Sequence, residues 1–435
     1  MSGVQLFDAR AMLTTGGTPS LLPLAGEGGP KGRMRETSRR GHRNADVATP
    51  PSPPASPDPL PLTGEGRALR GLVALVLSLA TPAFAQDAPP PPSAPATVPT
   101  APATAPPPAA EPATRPTAEN NPTQDEMTPE LAAATARGLA ALRALQNDDG
   151  SFGRGRYARH VAVTSLAALA FMADGNLPGR SEHGDVVARA LSFVLANATE
   201  TGLIATEGSD QVMYGHGFAT LFLGEIYGMN QQDTRVRDAL VRAVELIVKT
   251  QNDEGGWRYN PVPNDADISV TICEVMALRS ARNAGIKVPK ETIDRAVQYV
   301  RDCQNPDGGF KYMRRTGTSD WPRSAAGIAA LFYAGIYEDE AINRGLDYLI
   351  RTALPGSPNV RTNHYFYGQY YCVQAMYLAG GKHWAQWWPA IRTQLLAAQS
   401  ADGAWIDTHH GSAYGTSMAL IVLQMPKRYL PIFQK

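Results

Sequence analysis

Two carboxylates that stand one residue apart, Asp265 and Asp267, are the residues of this sequence best placed for acid–base chemistry. A carboxyl group can deliver a proton at neutral pH only if its surroundings keep it protonated, which neighbouring carboxylates and hydrogen bonds help to arrange. A structural alternative is open. Asp267 or Asn264 can instead cap the following helix by accepting backbone N–H bonds at its start.

Polar and aromatic residues follow the same sequence motif six times, and together they form the candidate ligand site. Concave sites with aromatic walls and a few convergent polar groups are the usual form of ligand pockets. Taken singly, each residue is equally well explained as a loop charge or as cavity packing, and tyrosines can also stabilise cations through their ring faces. The candidate ligand-binding residues are Arg159, His160, Tyr214, His216, Arg258, Tyr259, Arg315, Trp321, His364, Tyr365, Tyr367, His410 and Tyr414.

The repeated motif is a heptad of Gln, three mostly polar residues, Gly, any residue and an aromatic residue. It begins at positions 146, 251, 304 and 399, which fits a period of about 50 residues with two members less well preserved. In one of these, residues 197–203 keep the Gly in phase and place Leu203 in the aromatic position. In the other only residues 354–356 remain. The Asp-Gly turn, the helix-ending Gln and the buried aromatic residue all favour a structural role for the motif.

Two kinds of helix alternate between the motifs. Segments 234–250 and 289–303 carry one apolar stripe opposite a charged face, which is typical of half-exposed outer helices. Segments 161–173 and 324–335 are nearly free of charge and rich in small residues, which indicates buried inner helices. Six outer–inner hairpins predict an all-α fold of about twelve helices. Since neither terminal repeat has the polar character of a cap, we expect a closed ring rather than an open solenoid.

The heptad resembles the QW motif of squalene–hopene and oxidosqualene cyclases and, more loosely, the β-subunit of protein prenyltransferases. The resemblance covers residues 127–435 and implies an α/α toroid. Triterpene cyclases carry an Asp-x-Asp-Asp motif whose central Asp protonates an alkene. The resemblance therefore implies that Asp267 is the acid and Asp265 its partner, although Ile268 stands where the last Asp is expected.

Other families with related folds fit the sequence less well. The zinc site of the prenyltransferases requires Asp, Cys and His at a spacing that is absent here, and the Cys-Gly-Glu-Gln stretch of thioester domains is absent as well. The neighbours His409 and His410 point in different directions on a regular backbone, so we predict no metal and no cofactor. Glycosidases built on similar barrels need two opposed carboxylates, for which Glu207, Asp210 and Asp320 are available.

The first 126 residues are predicted to lie outside the folded domain. Residues 1–66 are rich in Gly, Pro and Arg and are expected to be disordered. Our hypothesis is that they come from a start site placed too early. Residues 67–85 have the basic, apolar and small-residue order of a signal peptide. Residues 86–126 form a Pro- and Ala-rich linker. We therefore expect an exported, periplasmic or secreted protein whose mature chain has no transmembrane helix.

The charge balance bears on the class of partner, and the cysteines bear on whether the chain contains disulfides. Forty basic and forty acidic residues give a formal net charge of +0, so no nucleic-acid partner is expected. The three cysteines, Cys273, Cys303 and Cys372, lie in apolar helical contexts and are predicted to be buried free thiols.

The primary hypothesis is a toroid that binds, and in its enzyme form transforms, an apolar isoprenoid or lipid. The alternative is a non-catalytic module that binds a protein or glycan of the cell envelope.

Overall fold

Twelve α-helices make up the folded part of the chain. The computed structural model describes residues 126–315, 317–358, 360 and 363–434. Among them there are three short 3₁₀ turns and no β-strand, which confirms the all-α prediction. The helices are α1 (Pro129–Ala144), α2 (Val161–Met172), α3 (Gly184–Ala196), α4 (Val212–Met229), α5 (Thr234–Thr250), α6 (Ile268–Asn283), α7 (Lys290–Asp302), α8 (Trp321–Tyr333), α9 (Glu340–Ala353), α10 (Tyr365–Ala379), α11 (Gly381–Ala398) and α12 (Ser412–Leu423).

The even-numbered helices form an inner layer and the odd-numbered helices an outer one. Every residue of α2 is buried, whereas α5 and α9 bury a single stripe and expose their charged faces. Each inner helix packs against the next inner helix along the chain. Small residues such as Ala and Gly in the inner layer allow these helix backbones to approach closely. The alternation of charge-free and amphipathic segments in the sequence therefore predicts the two layers correctly.

The ring is closed, as predicted. Helix α12 packs against α2, and α1 packs against both α11 and α12. The Gln399 side chain donates to the Ala134 carbonyl of α1 at 2.9 Å, and the Gln424 side chain donates to the Ala170 carbonyl of α2 at 2.9 Å. Both bonds join the last repeat to the first.

The Gln of each well-preserved motif fastens its own turn to the beginning of the next outer helix. The Gln251 amide donates one hydrogen to the Gly255 carbonyl at 2.8 Å and the other to the Thr292 carbonyl of α7 at 2.9 Å. Both N–H groups of this buried amide are therefore satisfied. The same pair of bonds is made by Gln146, Gln304 and Gln399, which reach Val186, Ala341 and Ala134 respectively.

The Gly and the aromatic residue of the motif complete the link between the layers. Gly255 has φ +96°, and a Cβ there would lie 2.3 Å from the Arg295 carbonyl oxygen, so a larger residue does not fit. Trp257 is buried, and its indole N–H donates to the Ile247 carbonyl at 2.7 Å. Its backbone N–H donates to the Thr271 hydroxyl of α6 at 3.2 Å. The structural role expected for the motif is therefore visible in its bonds.

One of the less well-preserved repeats is built one residue later than its sequence suggests. Gly202 keeps the left-handed conformation, with φ +93°. However, Ile204 rather than Leu203 takes the buried aromatic position, and its backbone N–H donates to His216 Nδ1 at 3.2 Å. The prediction for Leu203 was wrong because the heptad of this repeat begins at Ala198 and not at Asn197. Ala198 pairs with Ile204 in the same way as the first residue of another heptad, Gln304, pairs with its aromatic residue, Phe310.

The end of the ring at which the inner helices terminate is covered by the C-terminal segment. The 3₁₀ turn Pro431–Phe433 packs against α4 and α6, with Ile432 and Phe433 buried. The buried Glu225 carboxylate accepts from the Ser280 hydroxyl at 2.6 Å and from the Ile432 backbone N–H at 3.0 Å. Glu225 thus attaches the chain terminus to the inner layer.

All three cysteines are buried and free, which confirms the prediction of unpaired thiols. No helix in the described part of the chain is both long and apolar enough to cross a membrane. The expected disordered segment 1–66, the signal peptide 67–85 and the linker 86–126 lie outside the described residues, except for Glu126. The division of the chain into these domains stays a prediction.

Candidate functional site

Six connecting segments meet at the end of the ring where the inner helices begin, and we call this end the mouth. The described parts of these segments are 153–160, 205–211, 258–267, 311–315 with 317–320, 363–364 and 406–411. Neighbouring segments contact each other around the ring. The Met213 backbone N–H donates to the Tyr259 carbonyl at 3.0 Å, and the Ile268 backbone N–H donates to the Tyr312 carbonyl at 3.0 Å. Because every inner helix starts here, the polar residues that follow each motif converge.

One half-buried tyrosine from each repeat lines the mouth, and we call this set the tyrosine wall. Rings of adjacent repeats lie close together, with 6.1 Å between the centroids of Tyr214 and Tyr259, and the hydroxyls of Tyr259 and Tyr312 share a hydrogen bond. Sequence reasoning did not single out Tyr157, although one tyrosine in every repeat was a readable signal. The wall comprises Tyr157, Tyr214, Tyr259, Tyr312, Tyr367 and Tyr414.

Large side chains from the inner helices close the ring below this wall. The Phe218 and Tyr370 rings meet across the ring with 6.1 Å between centroids, and both residues are buried. The Tyr371 hydroxyl of α10 lies 3.3 Å from the Cys273 sulfur of α6, so these two inner helices also meet inside the ring. The Tyr367 ring stacks edge-on against Tyr371 at 4.9 Å. The tyrosine wall thus stands above a layer of buried aromatic side chains, and we call the region that the wall and this layer enclose the bowl.

Asp267 is fully buried at the start of α6, and its two carboxylate oxygens differ. Oδ1 caps the helix by accepting from the backbone N–H groups of Ser269 at 2.8 Å and Val270 at 3.0 Å. Oδ2 is not used by the cap and has no hydrogen bond of standard geometry; it lies 3.7 Å from Arg258 Nε and close to the Tyr312 hydroxyl. Burial raises the pKa of Asp267 to about 6, and the cap bonds, the Tyr312 hydroxyl and the Arg258 charge offset only part of this effect.

Asp265 contacts Arg258 rather than Asp267. Its carboxylate forms an ion pair with the Arg258 guanidinium and is half-exposed. The same guanidinium lies 4.9 Å from the centre of the Tyr259 ring and 5.9 Å from that of Tyr312. Arg258 therefore stands between the two carboxylates, and Asp265 balances a positive charge that would otherwise favour ionised Asp267.

Three histidines from repeats one, five and six lie on the other side of the bowl. His410 Nδ1 is 2.8 Å from Asp407 Oδ1, and the His410 ring lies 4.7 Å from Tyr414 and 5.0 Å from Tyr157 between centroids. Burial, followed by the proximity of His410, lowers the pKa of His160 and of His364. His160 and His364 are thus held mainly neutral at pH 7.

The structure places the remaining candidates outside the bowl. His216 is buried with both ring nitrogens bonded to backbone, at Ile204 N and Ala243 O. Trp321 is buried against the α10 backbone, where a Cβ on Gly368 would lie 2.1 Å from its ring. The Tyr365 hydroxyl donates to Gln394 of the outer helix α11 at 3.0 Å. Arg159, which pairs with Asp149 at 2.9 Å, and Arg315 are exposed.

A polar cleft of about 520 Å³ lies beside the bowl, between the mouth segments of repeats one and two. Its lining includes Arg159, His160 and the two carboxylates Glu207 and Asp210. Arg156 pairs with Asp210 across the cleft at 2.9 Å. Within the described residues, no group of three or more His, Cys, Asp or Glu side chains is arranged to hold a metal ion.

Comparison with known proteins identifies the fold. The family model of the squalene-hopene cyclase C-terminal domain matches residues 221–359, which include Asp265 and Asp267. The type II terpene cyclase MstE from Scytonema superposes with a TM-score of 0.51 and 16% identity, covering 70% of this chain and 100% of that one. This chain has the α/α toroid fold of the terpenoid cyclases.

Two further similarities show how widely this toroid is shared. Drimenyl diphosphate synthase from Streptomyces showdoensis is 29% identical over 183 residues, which are 41% of this terpenoid cyclase-like chain and 32% of that enzyme. The match therefore spans about a third of that relative's length. An α-1,6-mannanase from Salegentibacter, in complex with α-1,6-mannotriose, superposes with a TM-score of 0.54 and 8% identity over 68% of this chain and 98% of its own. Likeness at this level shows the fold alone.

Proposed function

We propose that the bowl binds an apolar isoprenoid or lipid and that Asp267 protonates an alkene of this molecule. The observation that carries the proposal is the buried Oδ2 of Asp267, which the helix cap does not use and which lies beside Tyr312 of the tyrosine wall. An acid held by one oxygen keeps the other for transferring its proton to a ligand that reaches it. The family match over residues 221–359 and the solved complex of MstE with geranylgeranyl dihydroxybenzoate support the same class of ligand.

Burial, rather than a third carboxylate, raises the pKa of this acid. Ile268, which replaces the last Asp of the cyclase motif, is itself buried. With the pKa of Asp267 raised to about 6 by burial, roughly a tenth of the molecules carry the proton at pH 7. We therefore expect turnover to increase as the pH falls from 8 towards 6.

The tyrosine wall supplies what a cationic intermediate needs. Protonation of an alkene forms a C–H bond and leaves a carbocation. Faces of the Tyr214, Tyr312 and Tyr367 rings attract such a cation through their quadrupoles. The Asp265 carboxylate compensates the Arg258 charge, so that the guanidinium repels the cation less.

The test is product formation from squalene and from geranylgeraniol, followed by gas chromatography and mass spectrometry. We expect Asp267→Asn to lower turnover by at least about 100-fold, because general acid catalysis contributes this much. Asp339→Asn is the matched control. Asp339 caps α9 in the same way but lies in the outer layer, away from the mouth. Equal turnover by the wild type and Asp267→Asn excludes the assigned acid.

A second candidate function rests on the polar cleft. Its open form and its carboxylates Glu207 and Asp210 favour a glycan or a protein of the cell envelope as the ligand. The toroidal mannanase that was solved in complex with α-1,6-mannotriose supports this candidate. Calorimetry with α-1,6-mannotriose tests this candidate. Heat of binding that disappears in Glu207→Gln, together with no turnover of isoprenoids, favours it over the first.

We also propose that the protein is exported. The proposal rests on the signal-like order of residues 67–85, with Arg67 and Arg70 before an apolar run and Ala83-Phe84-Ala85 after it. N-terminal sequencing of the native protein from cell fractions is the test. A mature terminus at or near Gln86 supports export, whereas recovery of a peptide from residues 1–66 contradicts it.

A further inference from the structure

Asp407 and His410 form a dyad whose geometry fixes the imidazole. The Asp407 side chain is only 10% exposed. Its Oδ1 accepts from His410 Nδ1 at 2.8 Å and from the backbone N–H groups of His409 at 3.0 Å and His410 at 2.8 Å. These bonds outweigh the effect of burial and lower the pKa of Asp407. An ionised Asp407 requires the proton of neutral His410 on Nδ1, which leaves a lone pair on Nε2.

The imidazole lies in the aromatic lining of the bowl. It packs between Tyr157 and Tyr414, and 29% of its side chain is exposed. The titratable groups around it are Asp407, His160, His364, His409, Tyr157 and Tyr414. Since Asp407 is the only carboxylate bonded to this ring among the described residues, it decides the orientation of His410.

Two tyrosines, Tyr367 and Tyr414, interact electrostatically with Asp267 and with the dyad respectively. After burial, the charge environment that raises the pKa of Tyr367 includes Cys273, Asp267 and Tyr414. The corresponding environment of Tyr414 includes Asp407, Cys273 and Tyr370. Tyr367 is thus close enough to Asp267 of repeat three, and Tyr414 to Asp407 of repeat six, for their charges to interact. Repeats three and six are opposite each other in a six-membered ring.

We propose that His410, oriented by Asp407, is the base that ends the reaction which Asp267 begins; this inference rests on the proposed function. The proton of Asp267 Oδ2 forms a new C–H bond at one alkene carbon and generates a carbocation. His410 Nε2 removes a proton from a carbon adjacent to the cation, so that this C–H bond breaks and a C=C bond forms. His410 becomes an imidazolium paired with Asp407, and Asp267 is left as a carboxylate. Solvent returns one proton and accepts the other, so no further reactant is consumed.

The separation of acid and base follows from the chemistry. Cyclisation moves the positive charge along the substrate, away from the carbon that received the proton. A base on the opposite wall meets the cation where it ends, and an imidazole is a better proton acceptor at pH 7 than a carboxylate. Asp407 is a positioning residue in this scheme, since it acts only through His410.

Products of His410→Gln, Asp407→Asn and the control His409→Gln test the inference. His409 is adjacent in sequence, but its side chain is exposed. We expect His410→Gln to lower the yield of the alkene product by at least about 100-fold and to divert material to water-captured alcohols, with His409→Gln unchanged. Unchanged rate and products in His410→Gln overturn the assignment of the base while leaving the acid in place. Absence of turnover in the wild type overturns both.

Nitrogen NMR of the imidazoles gives a second, activity-free readout. We expect His410 to be protonated on Nδ1 in the wild type and to populate both tautomers in Asp407→Asn, with the thermal midpoint little changed. A mixed population in the wild type contradicts the positioning role of Asp407.

Discussion

The two carboxylate oxygens of Asp267 explain why its sequence context allowed both a cap and an acid. Oδ1 bonds the backbone N–H groups of Ser269 and Val270, and Oδ2 is buried and not used by the cap. A single residue thus meets both descriptions, because a helix start lies at the mouth of every repeat. No local pattern shows which oxygen is free, since this depends on Arg258 and Tyr312 from two different repeats.

The raised pKa of Asp267 predicts how its substitution changes stability with pH. Folding raises the pKa from the ordinary 3.8 to about 6, so the folded state binds more protons than the unfolded state between these values. Stability therefore falls as the pH rises from about 4 to about 6. We expect the free energy of unfolding of Asp267→Asn, relative to the wild type, to increase over this range by up to about 3 kcal/mol.

Chemical denaturation of both proteins at pH 4, 5, 6 and 7 measures this difference. The comparison cancels other titrating groups, such as His216, that the two proteins share. A difference that is constant over the whole range contradicts the raised pKa.

His216 is predicted to be structural. Its ring replaces the hydroxyl that other repeats use to hold the motif turn, such as Thr271, and also bonds the Ala243 carbonyl of α5 at 3.2 Å. His216→Ala leaves two buried backbone groups without partners and opens a cavity. We expect a loss of about 3 kcal/mol in the free energy of unfolding, measured by denaturant titration. His183→Ala, at a partly exposed position, serves as the control, and an equal effect of both substitutions contradicts the structural role.

At the scale of the helix, the alternation of amphipathic and charge-free segments was sufficient to place the layers. The segment 234–250 was predicted with the bounds of α5 itself, because an apolar stripe and a capping Asp233 define it locally. The segment 324–335 begins three residues after α8 does, since Asp320 caps that helix and Pro322 lies in its first turn. The sequence does not show which side of an inner helix faces the bowl, and for this reason Trp321 is among the predicted site residues although it is buried against α10.

Replacing the Gln of the motif is expected to lower the free energy of unfolding more than replacing an exposed Gln. Gln251 is buried, and its amide satisfies two backbone carbonyls in different elements. We expect Gln251→Ala to lower the free energy of unfolding by about 2 to 4 kcal/mol, since both carbonyls lose their partner inside the protein. Gln298→Ala removes an exposed amide that bonds Asp302 within α7, and we expect a loss below about 0.5 kcal/mol.

Thermal unfolding of the two Gln variants, together with denaturant titration, makes this comparison. Similar losses for Gln251→Ala and Gln298→Ala would show that the motif bonds do not hold the layers together.

At the scale of the whole molecule, the C-terminal segment makes ring stability depend on pH. Burial raises the pKa of Glu225 to about 7, against the bonds from Ser280 and Ile432 that lower it. The folded state therefore holds an additional proton between about 4.5 and 7, and stability falls as the pH rises through this window. Glu225→Gln, which keeps a side chain of the same shape, is expected to abolish this part of the pH dependence.

Limited proteolysis of the C-terminus at pH 5.5 and pH 8 checks the prediction. We expect faster release of residues 428–435 from the wild type at pH 8, and equal rates at both pH values for Glu225→Gln. Equal rates in the wild type contradict it.

The bond from Gln399 to Ala134 makes the junction between the last and the first repeat equivalent to the junctions inside the chain. Helix α1 begins, and the C-terminal segment ends, on the side opposite the mouth, where Trp384 Nε1 also donates to Glu126 Oε1 at 2.5 Å. The repeats stand around the ring in the order of the sequence, but the position of the chain ends is not fixed by the packing. We therefore expect a circularly permuted gene for residues 126–435 to encode the same ring. In this gene a short linker joins the end of the C-terminal segment to the start of α1, and the new ends lie between α2 and α3.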